Sequence, residues 1–173
     1  SLPDFDRPIV VTGSQLPLGV VGSDAIPNVT GALRAATSGL APGVSVFFGH
    51  HLLAGNRITK ASSWAFDGFS SPGAEPLAAA GAPWRWAPSR ASGAGWSRPL
   101  PYARHDVVVI DLVPGITAAR LRALVTPLPE AIILRAFGVG NVPSAEPGLT
   151  DVVVDAIDAG AAVVVASQCH ESE

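Results

Sequence analysis

A hydroxyl-bearing turn, a single lysine and a glycine-rich turn hold most of the chemistry available in this sequence. The segment TGSQLPL (12–18) puts Thr12, Ser14 and Gln15 on a turn after an apolar run. Small hydroxyl side chains and backbone amides near Gly13 and Ser14 can hold a carboxylate, an amide or an oxyanion. The plain alternative is a turn whose hydroxyls bond their own backbone. The segment is not a G-x-S-x-G elbow and no helix follows it at once, which speaks against a serine-hydrolase triad. Lys60 is the only lysine in the chain. A lysine in a cleft beside a hydroxyl lowers the pKa of a nucleophile or accepts its proton. Its isolation is equally compatible with a coding bias that replaces Lys by Arg.

Other residue types suggest less. His50 and His51 are adjacent, so on a strand they point to opposite faces. With His105, His170 and Cys169 they show no metal-ligand spacing, and no metal is expected. FGVGN (137–141) has two glycines after a strand but lacks the third glycine and the opening helix of a dinucleotide loop. It is expected to be a tight turn that brings Asn141 to a sheet edge, and no cofactor is expected.

The elements that must position these residues alternate in type. PIVVTG (8–13) and VSVFFG (44–49) read as buried strands, separated by a helix from the Ser23–Asp24 cap to about Thr37. His50 to Lys60 reads as a loop or irregular hairpin, and residues 61–87 as mixed. The Pro/Gly/Ser-rich run at 87–101 has no periodicity and is the expected linker between a first domain at 1–86 and a second at 102–173. Beyond it, strands at 106–112, 130–138 and 161–169 alternate with helices at 116–125 and 149–160, the last capped by Gly160. The strand at 106–112 lacks alternation and is expected to be buried on both faces. Strand–helix–strand order with short connections implies right-handed crossovers: an α/β fold with parallel sheets and flanking helices. Ligands in such sheets bind beyond the carboxyl ends of the strands.

Hydrophobic residues make up 48% of the 173 and charged residues 14%, so a large core or interface is expected. The apolar residues come in short runs, none reaching the roughly 18–20 residues of a membrane span. The first residues do not read as a secretory signal. With 11 Lys+Arg and a net charge of −3, no basic cluster invites nucleic acid. Cys169 is the only cysteine, which fits a reducing, cytoplasmic compartment.

Taken in order, PIVVTGSQLPL, SDAIPNVTGALRAA, VFFGHHLLAGNRITKASSWAFDGFSSP, VVIDLVPGI, AIILRAFGVGN and VVVASQC resemble the middle of type I, cytoplasmic-type, bacterial L-asparaginases. The NR-x-TKA-x(4)-FD-x-F-x-SP and LR-x-FGVGN runs are specific, and the resemblance spans nearly the whole chain apart from the linker. It implies the second half of a larger N-terminal α/β domain joined to the first half of a smaller C-terminal one. Family members are close to twice as long, and their TGGTI-type and HGTDT-type motifs, which carry the nucleophilic threonine and a threonine–aspartate pair, do not occur here. The resemblance implies that Lys60 activates a threonine and that Ser14 lies at the floor of the site. It implies that Asn141 is offered to a neighbouring subunit, and that Thr59, Arg135 and Cys169 line an effector pocket.

The expected activity is hydrolysis of L-asparagine to L-aspartate and ammonia by an oligomer, with Lys60, Thr12 and Ser14 as catalytic residues. Gly13, Gln15 and Asn141 are the expected substrate-binding residues. The nucleophile is open among Thr12, Ser14 and Thr59. Thr59 is the weakest, because sequence neighbours on a strand face opposite ways. The alternatives are a catalytically inactive asparaginase-like fragment that only binds or assembles, and an amidotransferase-type relative.

Overall fold

A computed structural model of the chain describes residues 7–41, 43–88 and 103–169. It divides into two compact units at Leu100. Most of the expected linker, residues 89–101, lies outside the described residues, as does His170.

The first unit runs β1 (Ile9–Val11), α1 (Ala25–Thr37), β2 (Val44–Phe48), β3 (His51–Ala54), β4 (Thr59–Lys60), β5 (Phe69–Ser70), β6 (Ala78–Ala79) and β7 (Arg85–Trp86). Its main sheet has the order β1-β2-β3-β6-β7, and β4 and β5 form a separate pair. Only β1 and β2, joined through α1, are parallel; the other pairs are antiparallel. Residues 50–60 are expected to form a loop or irregular hairpin, with His50 and His51 facing opposite ways where they lie on a strand. Instead, β2 and β3 are joined by a two-residue turn at Gly49 and His50, both with positive φ (53° and 75°). Such a turn follows the twist of an antiparallel pair. His50 is therefore in the turn, and only His51 is on the strand. The Gly-His pair lacks the Asn-Gly signal that would have announced it.

Helix α1 packs on β2 through small residues. A Cβ on Gly31 would lie 2.0 Å from the Phe47 ring, so only glycine lets the helix come this close. Ala32, Ala35, Ala41, Phe47, Leu52 and Ala78 form the core there. Phe47 stacks on Trp84 with centroids 5.4 Å apart. Pro27 sits in the first turn of α1, where its missing N–H has no helical partner to lose.

The second unit runs β8 (Val107–Asp111), α2 (Ala118–Leu124), β9 (Ala131–Ala136), α3 (Leu149–Asp158) and β10 (Ala162–Ser167). Its sheet, β10-β9-β8, is parallel throughout. Thr117 caps α2 by accepting from the Arg120 amide at 3.2 Å. Gly160, at φ 100°, follows the last residues of α3 in the left-handed conformation that ends helices. The core joins Ile110, Leu112, Ile132, Leu134 and Ala136 of the sheet to Leu121, Val125, Leu149, Val152 and Ala156. The expected two-sided burial of β8 does not hold among the described residues. Both helices pack on one face, while Val107 and Val109 are exposed on the other.

Candidate functional site

The carboxyl end of β1 runs into the turn that sequence reading singled out, and the start of α1 holds that turn. The Asp24 carboxylate accepts from the backbone amides of Gln15 and Leu16, all at 3.0 Å. It also accepts from Asn28 Nδ2 at 3.0 Å. Burial from water pushes the Asp24 carboxyl up. The amides of Leu16, Gln15 and Asp24 itself, with the Asn28 side chain, outweigh it, and the net shift is below the usual carboxylate value. Asn28 is 2% exposed. Its Nδ2 also donates to the Gly13 carbonyl at 2.9 Å, and its Oδ1 accepts from the Gly49 amide at 3.2 Å.

Four of the five residues from Thr12 to Leu16 are thereby tied down. Thr12 Oγ1 donates to the Phe47 carbonyl at 2.8 Å. Gly13, Gln15 and Leu16 are held from α1 as described, and Leu16 also accepts from Ser23 Oγ at 2.9 Å. Ser14 is exposed and makes no hydrogen bond among the described residues.

Lys60 reaches this turn across 45 residues of sequence: its Nζ donates to Gln15 Oε1 at 3.4 Å. The other end of the Gln15 amide donates to the Ala65 carbonyl at 2.6 Å and the Ser62 carbonyl at 3.4 Å, fixing the loop between β4 and β5. The ammonium lies over two rings, 4.5 Å from the Phe69 centroid and 5.5 Å from that of Phe48. These two rings meet edge to face at 5.0 Å. No carboxylate lies within ion-pair distance of Lys60 among the described residues. Gly68 makes room for the arrangement, because a Cβ there would lie 2.9 Å from both Lys60 Nζ and Gln15 Nε2. Thr59 is exposed on β4 and, as the neighbour of Lys60 on an extended strand, points away from it.

In the second unit, FGVGN forms a tight turn in which the Phe137 and Asn141 backbones bond both ways, at 2.9 and 2.8 Å. Asn141 is exposed at its end. Arg135 pairs with Asp111 at 2.9 Å. Cys169 is exposed, and its amide donates to Ser167 Oγ. Gln168, which sequence reading passed over, donates from Nε2 to the carbonyls of Leu112 and Arg135, both at 2.7 Å, pinning the carboxyl ends of β8 and β9. The described residues contain no cluster of three or more side chains suited to a metal. None of their helices is long and apolar enough to cross a membrane.

Sequence reading also passed over Asn28, Phe48, Phe69 and Gly68, and took Asp24 only as a cap. A signal for the Asp24–Asn28 pair was present. Asn is a poor residue for a helix interior, and four residues after an Asp it shares that residue's face.

The chain belongs to the asparaginase family. The N-terminal asparaginase family model matches residues 1–90, and the glutaminase/asparaginase C-terminal domain model matches residues 106–173. Among individual relatives the likeness is to type I enzymes. The chain is 36% identical to L-asparaginase 1 of Escherichia coli strain K12 over 170 residues, which cover 97% of this chain and 50% of that protein. It is 32% identical to the 60 kDa lysophospholipase of Homo sapiens, covering 97% of this chain and 30% of that one. The crystal structure of L-asparaginase I from Vibrio cholerae superposes with a TM-score of 0.84 at 34% identity, over 95% of this chain and 50% of that one. The thermostable L-asparaginase from Thermococcus kodakarensis gives 0.87 at 29% identity, over 98% and 51%. The chain thus spans about half the length of the E. coli relative, and less of the human one.

Proposed function

We propose that the chain acts in the hydrolysis of L-asparagine to L-aspartate and ammonia, with Lys60 and the Thr12–Gln15 turn as its contribution to the site. One observation carries the reading: the Lys60 ammonium has no carboxylate partner among the described residues, yet is held in place by two ring faces and the Gln15 amide oxygen. A carboxylate would neutralise it. Ring faces and an amide oxygen orient the charge and leave it able to stabilise an ionising hydroxyl or an oxyanion.

The chemistry is acyl transfer. A hydroxyl oxygen attacks the side-chain amide carbonyl of asparagine, ammonia leaves, and water releases aspartate from the resulting ester. Of the three hydroxyl candidates, Ser14 is favoured. The Thr12 proton is committed to the Phe47 carbonyl, and Thr59 points away from Lys60. Gly13 belongs to the substrate-binding turn. Gln15 holds Lys60 and the 62–65 loop with its side chain, so its part is to support the site. Effector binding by Thr59, Arg135 and Cys169, an intersubunit role for exposed Asn141, an oligomeric state and a cytoplasmic location all go with this reading. In it, the carboxylate of an effector would compete with Asp111 for Arg135.

The second reading is assembly or binding without turnover. A row of large apolar residues on the outer side of α1, Ile26, Val29 and Leu33, favours it. Ammonia release from L-asparagine by the purified chain decides between the two. Release, falling by about 10²–10⁴ in Lys60→Ala, supports hydrolysis. No release from the unaltered chain leaves the second reading.

A further inference from the structure

We infer that Asp24 is a positioning residue: through the Gln15 and Leu16 amides and through Asn28 it holds the Thr12–Leu16 turn so that Ser14 alone is presented free to substrate. The inference rests on the hydrolase reading above and adds a residue that acts without touching substrate.

The geometry is that of a clamp. A helix-capping Asp ordinarily accepts from the amides of its own first turn. Asp24 makes no such bond, although it occupies the cap position of α1. Its carboxylate turns back instead and takes two amides of the preceding turn, eight and nine residues earlier. Ser23 Oγ accepts from the Ala25 amide at the helix start. Asp24 is thus released from capping to hold the turn.

Asn28 completes the device from the next turn of α1. Its amide bonds to Asp24, to the Gly13 carbonyl and to the Gly49 amide in the β2–β3 turn. The carboxyl end of β1, the start of α1 and the end of β2 are thereby locked through one buried side chain. Four residues of the five are fixed and Ser14 has no protein partner among the described residues, so its backbone is held between fixed neighbours while its amide and hydroxyl stay unspent. Fixed donors lose nothing to reorganisation when charge develops beside them. The same clamp fixes the Gln15 backbone, and Gln15 in turn fixes Lys60. Asp24 therefore acts on both halves of the site.

The test compares the unaltered chain with Asp24→Ala and Asp24→Asn by amide hydrogen exchange and by steady-state kinetics on L-asparagine. In Asp24→Ala, exchange at Gln15 and Leu16 is expected to speed up roughly tenfold or more, as for loss of a charge-assisted bond. Exchange at Val46 and Leu53 should stay unchanged. kcat is expected to fall about tenfold while KM moves less than about threefold. Asp24→Asn keeps one acceptor oxygen, so it should lie between on both measures, and it carries the comparison if the alanine variant does not fold. Unchanged exchange at Gln15 and Leu16 overturns the clamp. Faster exchange with undiminished kcat overturns its positioning role. If the unaltered chain releases no ammonia, the hydrolase reading fails by itself. The exchange comparison then decides the clamp alone, faster exchange supporting it and unchanged exchange sinking it.

Discussion

Gly68 lies against Lys60 so closely that a Cβ on it would sit 2.9 Å from the ammonium nitrogen. The same Cβ would be 2.9 Å from Gln15 Nε2 and 3.3 Å from the Ala65 carbonyl. The two closest neighbours are the far ends of flexible side chains, which swing away at little cost to the fold. Gly68→Ala is therefore expected to leave the melting midpoint close to that of the unaltered chain while moving Lys60 and Gln15. A displacement on that scale costs on the order of 10²-fold in turnover. Parallel thermal melts and ammonia-release assays check it. Full turnover in the variant would mean that the observed position of Lys60 is not the working one.

Thr12 and Ser14 are expected to separate cleanly. Thr12→Ala removes a part-buried hydrogen bond to the Phe47 carbonyl and should lower stability by about 1 kcal/mol. Ser14→Ala removes a hydroxyl with no protein partner among the described residues, so stability should hold while asparagine hydrolysis is lost. Denaturant unfolding and activity on both variants give the comparison. A Ser14→Ala chain that keeps its activity moves the nucleophile elsewhere.

The turn and the lysine were legible in the sequence, the lysine because it is the only one in the chain and the turn because hydroxyls stand beside a glycine after an apolar strand. The parallel sheet of the second unit was legible from strand–helix alternation. What holds the site was not. The Asp24 carboxylate looks like an ordinary helix cap until its partners eight and nine residues earlier are seen. Phe48 lies in an apolar strand and Phe69 in a segment of mixed pattern, and nothing in either marks a ring face that carries Lys60. Gly68 is a loop glycine in sequence, and its meaning lies in residues from two other segments. The β2–β3 turn was missed because His50 adopts a positive φ, which is uncommon for a residue other than glycine.

Asp24 gives the turn a predictable response to acid. Its pKa in the folded chain lies below the usual carboxylate value, so the ionised form is favoured by folding. That contribution is fully present above the ordinary carboxylate value and is lost as pH falls through the lowered folded value. Asp24→Asn has no such group. The stability difference between the two chains should thus be constant at neutral pH and shrink only in the acid range. Urea unfolding of both across pH tests this, and a difference that grows on acidification would contradict the sign.

Ser45 offers a stabilising change. It is fully buried in β2, and its hydroxyl has no hydrogen-bond partner among the described residues. An unpaired buried hydroxyl costs free energy that an unfolded chain, hydrated there, does not bear. Ser45→Ala should raise unfolding free energy by about 1 kcal/mol without touching the site. Chemical denaturation gives the answer, and a loss of stability would show that the hydroxyl has a partner in solution.

Helix α1 turns its small residues inward and its large apolar ones outward. Ala25, Asn28, Gly31, Ala32 and Ala35 are buried, while Ile26 and Leu33 are each 63% exposed and Val29 lies between them at helical spacing. A solvent-facing helix shows the reverse pattern. An outward apolar row on a chain with 14% charged residues favours association. Light scattering at micromolar concentration is expected to find a dimer or larger species. Because these side chains are exposed, Ile26→Lys with Leu33→Lys should change folding stability by no more than about 0.5 kcal/mol each. The double variant should shift the chain toward monomer with its circular dichroism unchanged. A monodisperse monomer from the unaltered chain would refute association. An oligomer that persists in the double variant would move the interface away from α1, to a surface such as the exposed valine face of the second sheet.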